Sequence, residues 1–193
     1  RQRQMCIRDS YWFQIGGMIN GLYKYYESFV YVGTANSYVL NAASTGKADS
    51  SAAASAATDS DAPYGYCYDH RLFVSAEALE IGTDWNGLHG GSVIFGKPFE
   101  SGGVSYTMRA PSAGTNSYLN KTEVRGTPWN NEWDTIRVKG EIDPASLTRN
   151  YIKNWQGSPS WGQDALAGDA SMRVYRGGEG AYSFVGASSS SGT

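Results

Sequence analysis

Cysteine and histidine are scarce in this chain of 193 residues, which contains two of each. The cysteines, Cys6 and Cys67, allow one disulfide at most, so a disulfide framework is excluded, and Cys67 is interpreted as a lone buried or half-buried thiol. His70 and His89 do not have the spacing of a metal-binding pair. We therefore predict no cofactor, while calcium binding stays open.

Charge is also scarce, since charged residues make up 18% of the chain and the net charge is -2. Phosphate groups are bound by a concentrated basic face, and here the lysines and arginines are dispersed. No apolar run approaches the roughly 18 to 20 residues that a membrane-spanning helix needs. The sequence thus predicts neither a nucleic-acid partner nor membrane insertion.

Apolar and small residues are abundant: hydrophobic residues make up 40% of the chain, which also has 24 glycines and 14 tyrosines. That apolar content is enough for a core. Because solubility must come from Ser, Asn, Thr and Gly more than from charge, the composition favours loop-rich secreted or particle-surface proteins over helical cytoplasmic enzymes.

Three segments differ from the rest of the chain. Residues 1–10, RQRQMCIRDS, resemble a translated sequencing adapter and lack the apolar stretch of a signal peptide. Ala42 to Ala62 is rich in Ala, Ser and Asp and predicts a flexible insertion. Gly186 to Thr193 is interpreted as a linker or a polar loop. The expected organisation is therefore one domain over residues 11–193, with an insertion at about 42–62.

Regular elements are predicted to be few and short, with connecting segments dominant. The patterns favour strands at Phe29–Val32, Ser37–Leu40, Val93–Phe95 and Val104–Met108, a helix at Phe73–Gly82, and turns at Gly33–Asn36, Asp84–Gly87 and Gly102–Gly103.

Two acidic residues flank a tryptophan in the second half of the chain. Glu132 and Asp134 beside Trp133 suit the first turn of a helix, where carboxylates interact favourably with the helix dipole and the indole can enter the core. Upstream, Pro111 ends a strand by fixing its own backbone and extending the preceding residue.

Two arginines precede a double glycine near the end of the chain. In an extended segment Arg173 and Arg176 point to opposite sides, so one is expected to pair inward with Glu132 or Asp134 and the other to face solvent or ligand. Gly177-Gly178 suits a sharp turn with positive φ.

These residues carry a family resemblance. The run Tyr106-Thr107-Met108-Arg109-Ala110-Pro111-Ser112, followed by Asn131-Glu132-Trp133-Asp134, resembles the Arg-Leu-Pro-Thr turn and Glu-Trp helix of the formylglycine-generating-enzyme-like (sulfatase-modifying-factor-like) family. Ser171 to Gly178 is similar to that family's Arg-Val-x-Arg-Gly-Gly strand and turn. The chain departs from the pattern at Ala110, where leucine is usual, and in a loop, Ala113 to Asn130, that separates the first two motifs.

The resemblance implies an α+β fold: a loop-rich C-type-lectin-like domain with short helices and a small, twisted, mostly antiparallel sheet, truncated before its last Gly-Phe-Arg strand. The enzymes of the family use cysteines that follow the Arg-Gly-Gly turn. This chain has no cysteine after Cys67, so it is interpreted as non-enzymatic.

Binding is the function that the resemblance then favours, as in receptor-binding proteins of phages and bacteria. The expected partner is a glycan or protein on a cell surface, and the expected location is extracellular, on a cell surface or on a phage virion, within a larger assembly. Tyr, Trp and Arg give large contact areas at low entropic cost. The candidate contact residues lie between Asn154 and Phe184: Trp155, Gln156, Trp161, Gln163, Asp164, Tyr175, Arg176, Glu179 and Tyr182.

Other interpretations stay open. Trp155 and Trp161 are also interpreted as core residues, as an alternative to the contact face. The chain could be a structural decoration of a virion or surface layer. It could also be a divergent glycan hydrolase, with a carboxylate pair formed by Glu77 and Glu80 or by Glu132 and Asp134.

Overall fold

The computed structural model describes residues 12–19, 22–38, 40, 67–75, 78–79, 81–101, 103–120, 123–139, 159–180 and 182–192. Strands predominate in this part of the chain. In chain order the elements are β1 (Trp12–Ile19), β2 (Leu22–Tyr38), β3 (Cys67–Ser75), α1 (Trp85–Gly90), β4 (Lys97–Ser101), β5 (Val104–Met108), β6 (Asn116–Asn120), β7 (Glu123–Thr127), α2 (Glu132–Lys139), β8 (Pro159–Leu166), β9 (Asp169–Gly177) and β10 (Phe184–Ser188).

The strands form four small sheets within the described residues, and every pairing is antiparallel. One sheet has the order β1-β2-β3 and another the order β10-β9-β8, while β4–β5 and β6–β7 are separate hairpins. The architecture is therefore α+β in the sheet-rich sense, with two short helices among the described elements. The predicted dominance of connecting segments does not hold in this part of the chain.

The prediction of two short strands, Phe29–Val32 and Ser37–Leu40, separated by a turn is wrong, because a single strand, β2, covers this segment to Tyr38. It runs without reversal to Tyr38 and pairs with β3 along its second half. Gly33, which was assigned to the turn, has a φ of 104° and lies at a register shift after Tyr31. The glycine therefore accommodates a bulge, because pairing with β3 keeps the chain extended.

The predictions for Phe73 to Phe95 were also wrong in part. Phe73 to Ser75 belong to β3 and not to a helix. Asp84 is not in a turn but caps α1, where its carboxylate accepts a hydrogen bond of 2.6 Å from the backbone N–H of Gly87. Val93 to Phe95 form turns instead of a strand, with Val93 and Ile94 buried, so their apolar character reflects core packing.

Several local predictions are confirmed. Strand β5 has the predicted bounds, and Gly103 in the β4–β5 turn has a φ of 75°. Helix α2 begins at Glu132 with two carboxylates in its first turn. Gly177 and Gly178, which follow the arginines of β9, both have a φ of 89°.

The remaining outcomes concern the linking segments. The predicted loop from Ala113 to Asn130 contains the β6–β7 hairpin, and Gly186 to Ser188 lie in β10 instead of a linker or loop. Residues 1–10 and 42–62 lie outside the described residues. Among the described helices, none is long and apolar enough to cross a membrane.

The core brings distant parts of the chain together. Trp85, Ile94 and Trp161 form one buried cluster. Tyr38 and Leu40 form another, and Phe95 packs against both. These clusters place the end of β2, helix α1 and strand β8 around a common interior, on which the polar residues of the site are assembled.

Candidate functional site

The Arg109–Glu132 ion pair joins the end of β5 to the first turn of α2. Both guanidinium ends bind the buried Glu132 carboxylate, with a distance of 2.5 Å from Nη2 to Oε1 and a second contact from Nη1 to Oε2. The backbone N–H of Ser112 donates to the same carboxylate at 3.1 Å. Ser112 Oγ accepts from the Glu132 N–H at 2.9 Å and donates to the Tyr38 carbonyl at 2.7 Å. The buried charge is thus neutralised and hydrogen-bonded on several sides.

Asn131 caps the same helix. Its Oδ1 accepts from the backbone N–H of Asp134 at 2.9 Å, and its Nδ2 donates to the Asp134 carboxylate at 2.8 Å. That carboxylate also accepts from the N–H of Gly126 at 2.9 Å, which ties β7 to α2. A short polar side chain at this position satisfies helix N–H groups that have no other partner.

Arg176 connects β9 to this arrangement from the interior. Its Nη2 lies 3.3 Å from the Asp134 carboxylate, its Nη1 donates to the Ala113 carbonyl at 2.9 Å, and its Nε donates to the Ser183 carbonyl at 2.9 Å. Burial lowers its pKa, and the Asp134 carboxylate opposes that effect. The guanidinium also lies 5.9 Å from the ring centroid of Trp133, so the second and third motifs are in contact.

Arg173 points away from Arg176, as their spacing in a strand requires. It is not directed to solvent, however, because it is buried with its guanidinium 4.5 Å from the ring centroid of Trp85. The expectation that the second arginine faces solvent or ligand is therefore wrong. A cation over an indole ring is stabilised electrostatically, and this contact fixes α1 against β9.

Asp164 and Gln163 lie side by side in the interior. Asp164 accepts hydrogen bonds from the Tyr38 hydroxyl at 2.8 Å and from the Ala113 N–H at 2.6 Å. Gln163 accepts from the Leu40 N–H and donates to the Ile94 carbonyl, each at 2.9 Å. Burial raises the pKa of Asp164 to about 6, although its hydrogen bonds with Ala113, Tyr38 and Gly114 lower it.

Arg137 lies between the buried Asp134 carboxylate and the Glu123 carboxylate at the surface. Its Nε lies 3.8 Å from the Asp134 carboxylate and its Nη2 3.6 Å from that of Glu123. Its guanidinium carbon lies 3.7 Å from the ring centroid of Tyr182. Burial lowers the pKa of Arg137 to about 10, with the Asp134 carboxylate opposing.

At the surface, Glu123 accepts from Arg125 at 2.8 Å and from the Tyr182 hydroxyl at 3.3 Å. The hydrogen bond from Arg125 lowers the pKa of Glu123.

Tyr118 lies directly opposite Arg125 in the β6–β7 hairpin. We call the four residues Tyr118, Glu123, Arg125 and Tyr182 the charged-aromatic surface. It combines two phenol rings with a carboxylate and a guanidinium, so it offers apolar faces, donors and acceptors in one place.

No family model, curated protein or solved structure matches the chain.

Four of the seven predicted contact residues that the structure describes are interior. Trp161, Gln163, Asp164 and Arg176 are buried, so they stabilise the domain and cannot form a contact face. The sequence does not predict the burial of the three polar residues among them, because a polar side chain in a strand gives no sign of whether its partner is protein or water. Trp155 and Gln156 lie outside the described residues.

Three predicted contact residues keep some exposure. Tyr175 is half-buried and packs edge-on against Trp161, with 5.4 Å between ring centroids. Glu179 is exposed in the turn between β9 and β10. Tyr182 is half-buried, and of the three it alone belongs to the charged-aromatic surface.

Sequence reasoning missed the rest of this surface. Tyr118, Glu123 and Arg125 lie in the segment that was interpreted as a loop. A usable signal was present, since Ser-Tyr-Leu and Glu-Val-Arg flank a short polar turn, as in a hairpin. Trp129, which is 74% exposed, was also not assigned a role. Its backbone neighbours are fixed, because Asn131 Nδ2 donates to the Pro128 carbonyl at 2.8 Å and the Asn130 carbonyl accepts from the Tyr38 N–H at 3.1 Å.

The carboxylates considered for hydrolysis have structural contacts. Glu132 is held by Arg109 and Ser112, and Asp134 by Asn131, Gly126 and Arg176, all in buried positions. Glu77 and Glu80 lie outside the described residues. Within the described part of the chain, no three His, Cys, Asp or Glu side chains are grouped so that they could hold a metal ion.

Proposed function

We propose that this chain is a non-enzymatic recognition module that binds a cell-surface glycan through the charged-aromatic surface. The observation that carries the proposal is the fixed position of that surface. Glu123 is held simultaneously by Arg125, Arg137 and Tyr182, and Arg137 is itself anchored to helix α2 through Asp134. Side chains held in place before binding lose little entropy when a ligand arrives, which favours affinity.

The chemistry of the surface suits a sugar. A tyrosine ring presents an apolar face that can pack on the C–H face of a pyranose, while its hydroxyl remains a hydrogen-bond donor. Glu123 supplies acceptors and Arg125 supplies donors for sugar hydroxyls. Tyr118 is 39% exposed, so an aromatic face is available to a ligand.

The fold that we propose for the module is the C-type-lectin-like one of the formylglycine-generating-enzyme-like family, in an extracellular or virion-surface setting. The support is the contact among the three motifs: Arg109 with Glu132, and Arg176 with both Trp133 and Asp134. The absence of cysteine after Cys67 in the sequence supports a binding role instead of the thiol chemistry of that family.

The experiment is a glycan array probed with the wild-type chain and two variants of neighbouring residues. Tyr118 and Leu119 are adjacent in β6, both exposed, and their side chains leave opposite faces of the strand. Tyr118→Ala is expected to lose binding, whereas Leu119→Ala is expected to keep it. Equal loss in both variants, or no glycan bound by the wild-type chain, would contradict the proposal.

A structural role as a virion or surface-layer decoration is the second candidate. It is favoured by Trp129 and Leu119, which are 74% and 69% exposed and offer apolar area for contact with a neighbouring protein. A wild-type chain that binds no glycan but co-assembles with other particle proteins, and loses assembly on Trp129→Ala, would favour this role.

A further inference from the structure

Five charged side chains form a row in which the sign alternates. From the surface inward the order is Arg125, Glu123, Arg137, Asp134 and Arg176, and the successive distances are 2.8, 3.6, 3.8 and 3.3 Å. We call this set the alternating charge row. It begins and ends with a cation, so three guanidinium groups share two carboxylates.

The buried end of the row is well satisfied. Arg176 donates to two backbone carbonyls in addition to its contact with Asp134. Burial lowers the pKa of Arg176, and the nearby Asp164 carboxylate adds negative charge at this end that, like Asp134, opposes this effect. It does not compensate the other end, because Asp164 is bound to Tyr38 and Ala113 in the interior.

At the surface end of the row, positive charge exceeds negative charge. Glu123 is the shared partner of Arg125 and Arg137 and also accepts from the Tyr182 hydroxyl. Among the described residues, the buried Nε atoms of Arg125 and Arg137 have no hydrogen-bond partner. The Arg125 side chain is 25% exposed, so a ligand can reach it together with Glu123.

We propose that the glycan bound at the charged-aromatic surface is acidic, and that Arg125 binds its carboxylate. The inference rests on the proposed function. It adds that the ligand is negatively charged and that Arg125 binds the charged group. A carboxylate next to Arg125 continues the alternation of signs and places an anion where two guanidinium groups face one carboxylate. Arginine suits this role because its planar group can donate two parallel hydrogen bonds to a carboxylate. Tyr118, opposite Arg125, then packs against the sugar ring.

The experiment measures binding to uronate- and sialate-containing oligosaccharides, each paired with its methyl ester. The ester keeps the sugar ring and linkage but removes the charge. We expect the acid form to bind at least about ten-fold more tightly than the ester, as the loss of one charge-assisted hydrogen bond implies. We also expect the affinity for the acid to fall as salt concentration rises.

Variants at two arginines identify the residue. Arg125→Gln is expected to bind acid and ester alike, while Arg125→Lys keeps part of the preference, since it retains the charge without the planar fork. Arg71→Gln is the matched control, because Arg71 is an exposed arginine of β3. Thermal unfolding of each variant separates a folding defect from a binding defect.

The outcomes distinguish a failure of this inference from a failure of the proposed function. Equal wild-type affinity for acid and ester, or a preference that survives Arg125→Gln in a folded protein, would overturn the inference and leave glycan recognition standing. A preference for sulfated glycans over carboxylated ones would overturn the assignment of a carboxylate. Absence of binding to every glycan tested would overturn both.

Discussion

Glu132 receives both arms of the Arg109 guanidinium in a buried position, so that the start of helix α2 is bound to the end of strand β5. Removing one partner of such a pair leaves the other charged and desolvated. Arg109→Ala is therefore expected to lower the free energy of unfolding by about 3 to 5 kcal/mol. Urea denaturation followed by circular dichroism measures the change.

The control for this prediction is Arg125→Ala, which breaks a surface ion pair with Glu123. Exposed pairs contribute about 1 kcal/mol or less. If the two variants lose equal stability, the buried pair is not a special support of the fold.

Asp164 gives stability a dependence on pH. Burial raises its folded pKa to about 6 from 3.8, so ionising it costs more in the folded than in the unfolded protein. The stability that the protonated group contributes is complete below pH 3.8 and is lost as the pH rises through about 6. The difference in unfolding free energy between wild type and Asp164→Asn, measured at several pH values, should fall across this interval. A difference independent of pH would show that Asp164 ionises normally.

Tyr182 has two separable roles. Its hydroxyl donates to Glu123, and its ring covers the Arg137 guanidinium. Tyr182→Phe keeps the ring and is expected to cost less than about 1 kcal/mol, whereas Tyr182→Ala also removes the cation–π contact and is expected to cost about 1 to 2 kcal/mol more. Thermal denaturation of the two variants gives the comparison. A phenylalanine variant as unstable as the alanine variant would show that the hydroxyl, not the ring, matters.

Gly126 allows β7 to approach the segment that follows Pro111. A Cβ at this position would lie 2.3 Å from the Ala113 carbonyl oxygen and 3.0 Å from Arg176 Nη1. Gly126→Ala must therefore displace backbone, at a cost of about 1 to 3 kcal/mol or more. Gly180→Ala is the matched control, since a Cβ there meets nothing within 4 Å. Equal melting temperatures for the two variants would contradict the close packing of β7.

The sequence by itself determined the features that depend on a few neighbouring residues. Strand β5 and the glycine turn before it, the acidic first turn of α2, and the Gly177-Gly178 turn all have the structure that their local chemistry predicts. Local preferences of the backbone are sufficient for such elements. The inward pairing of one arginine of β9 with Asp134 also followed from the alternation of side chains along a strand.

Only the tertiary structure decided which polar residues face water. Gln163, Asp164 and Arg176 have the composition of a contact face, yet each is buried. Carbonyl, hydroxyl and N–H groups of residues 51 to 126 positions away form hydrogen bonds with them. Pairing with β3 likewise kept Gly33 within a strand, against a local turn signal. The free energy of a buried hydrogen bond or ion pair depends on partners that are remote in the chain, and those partners become neighbours only when the chain folds.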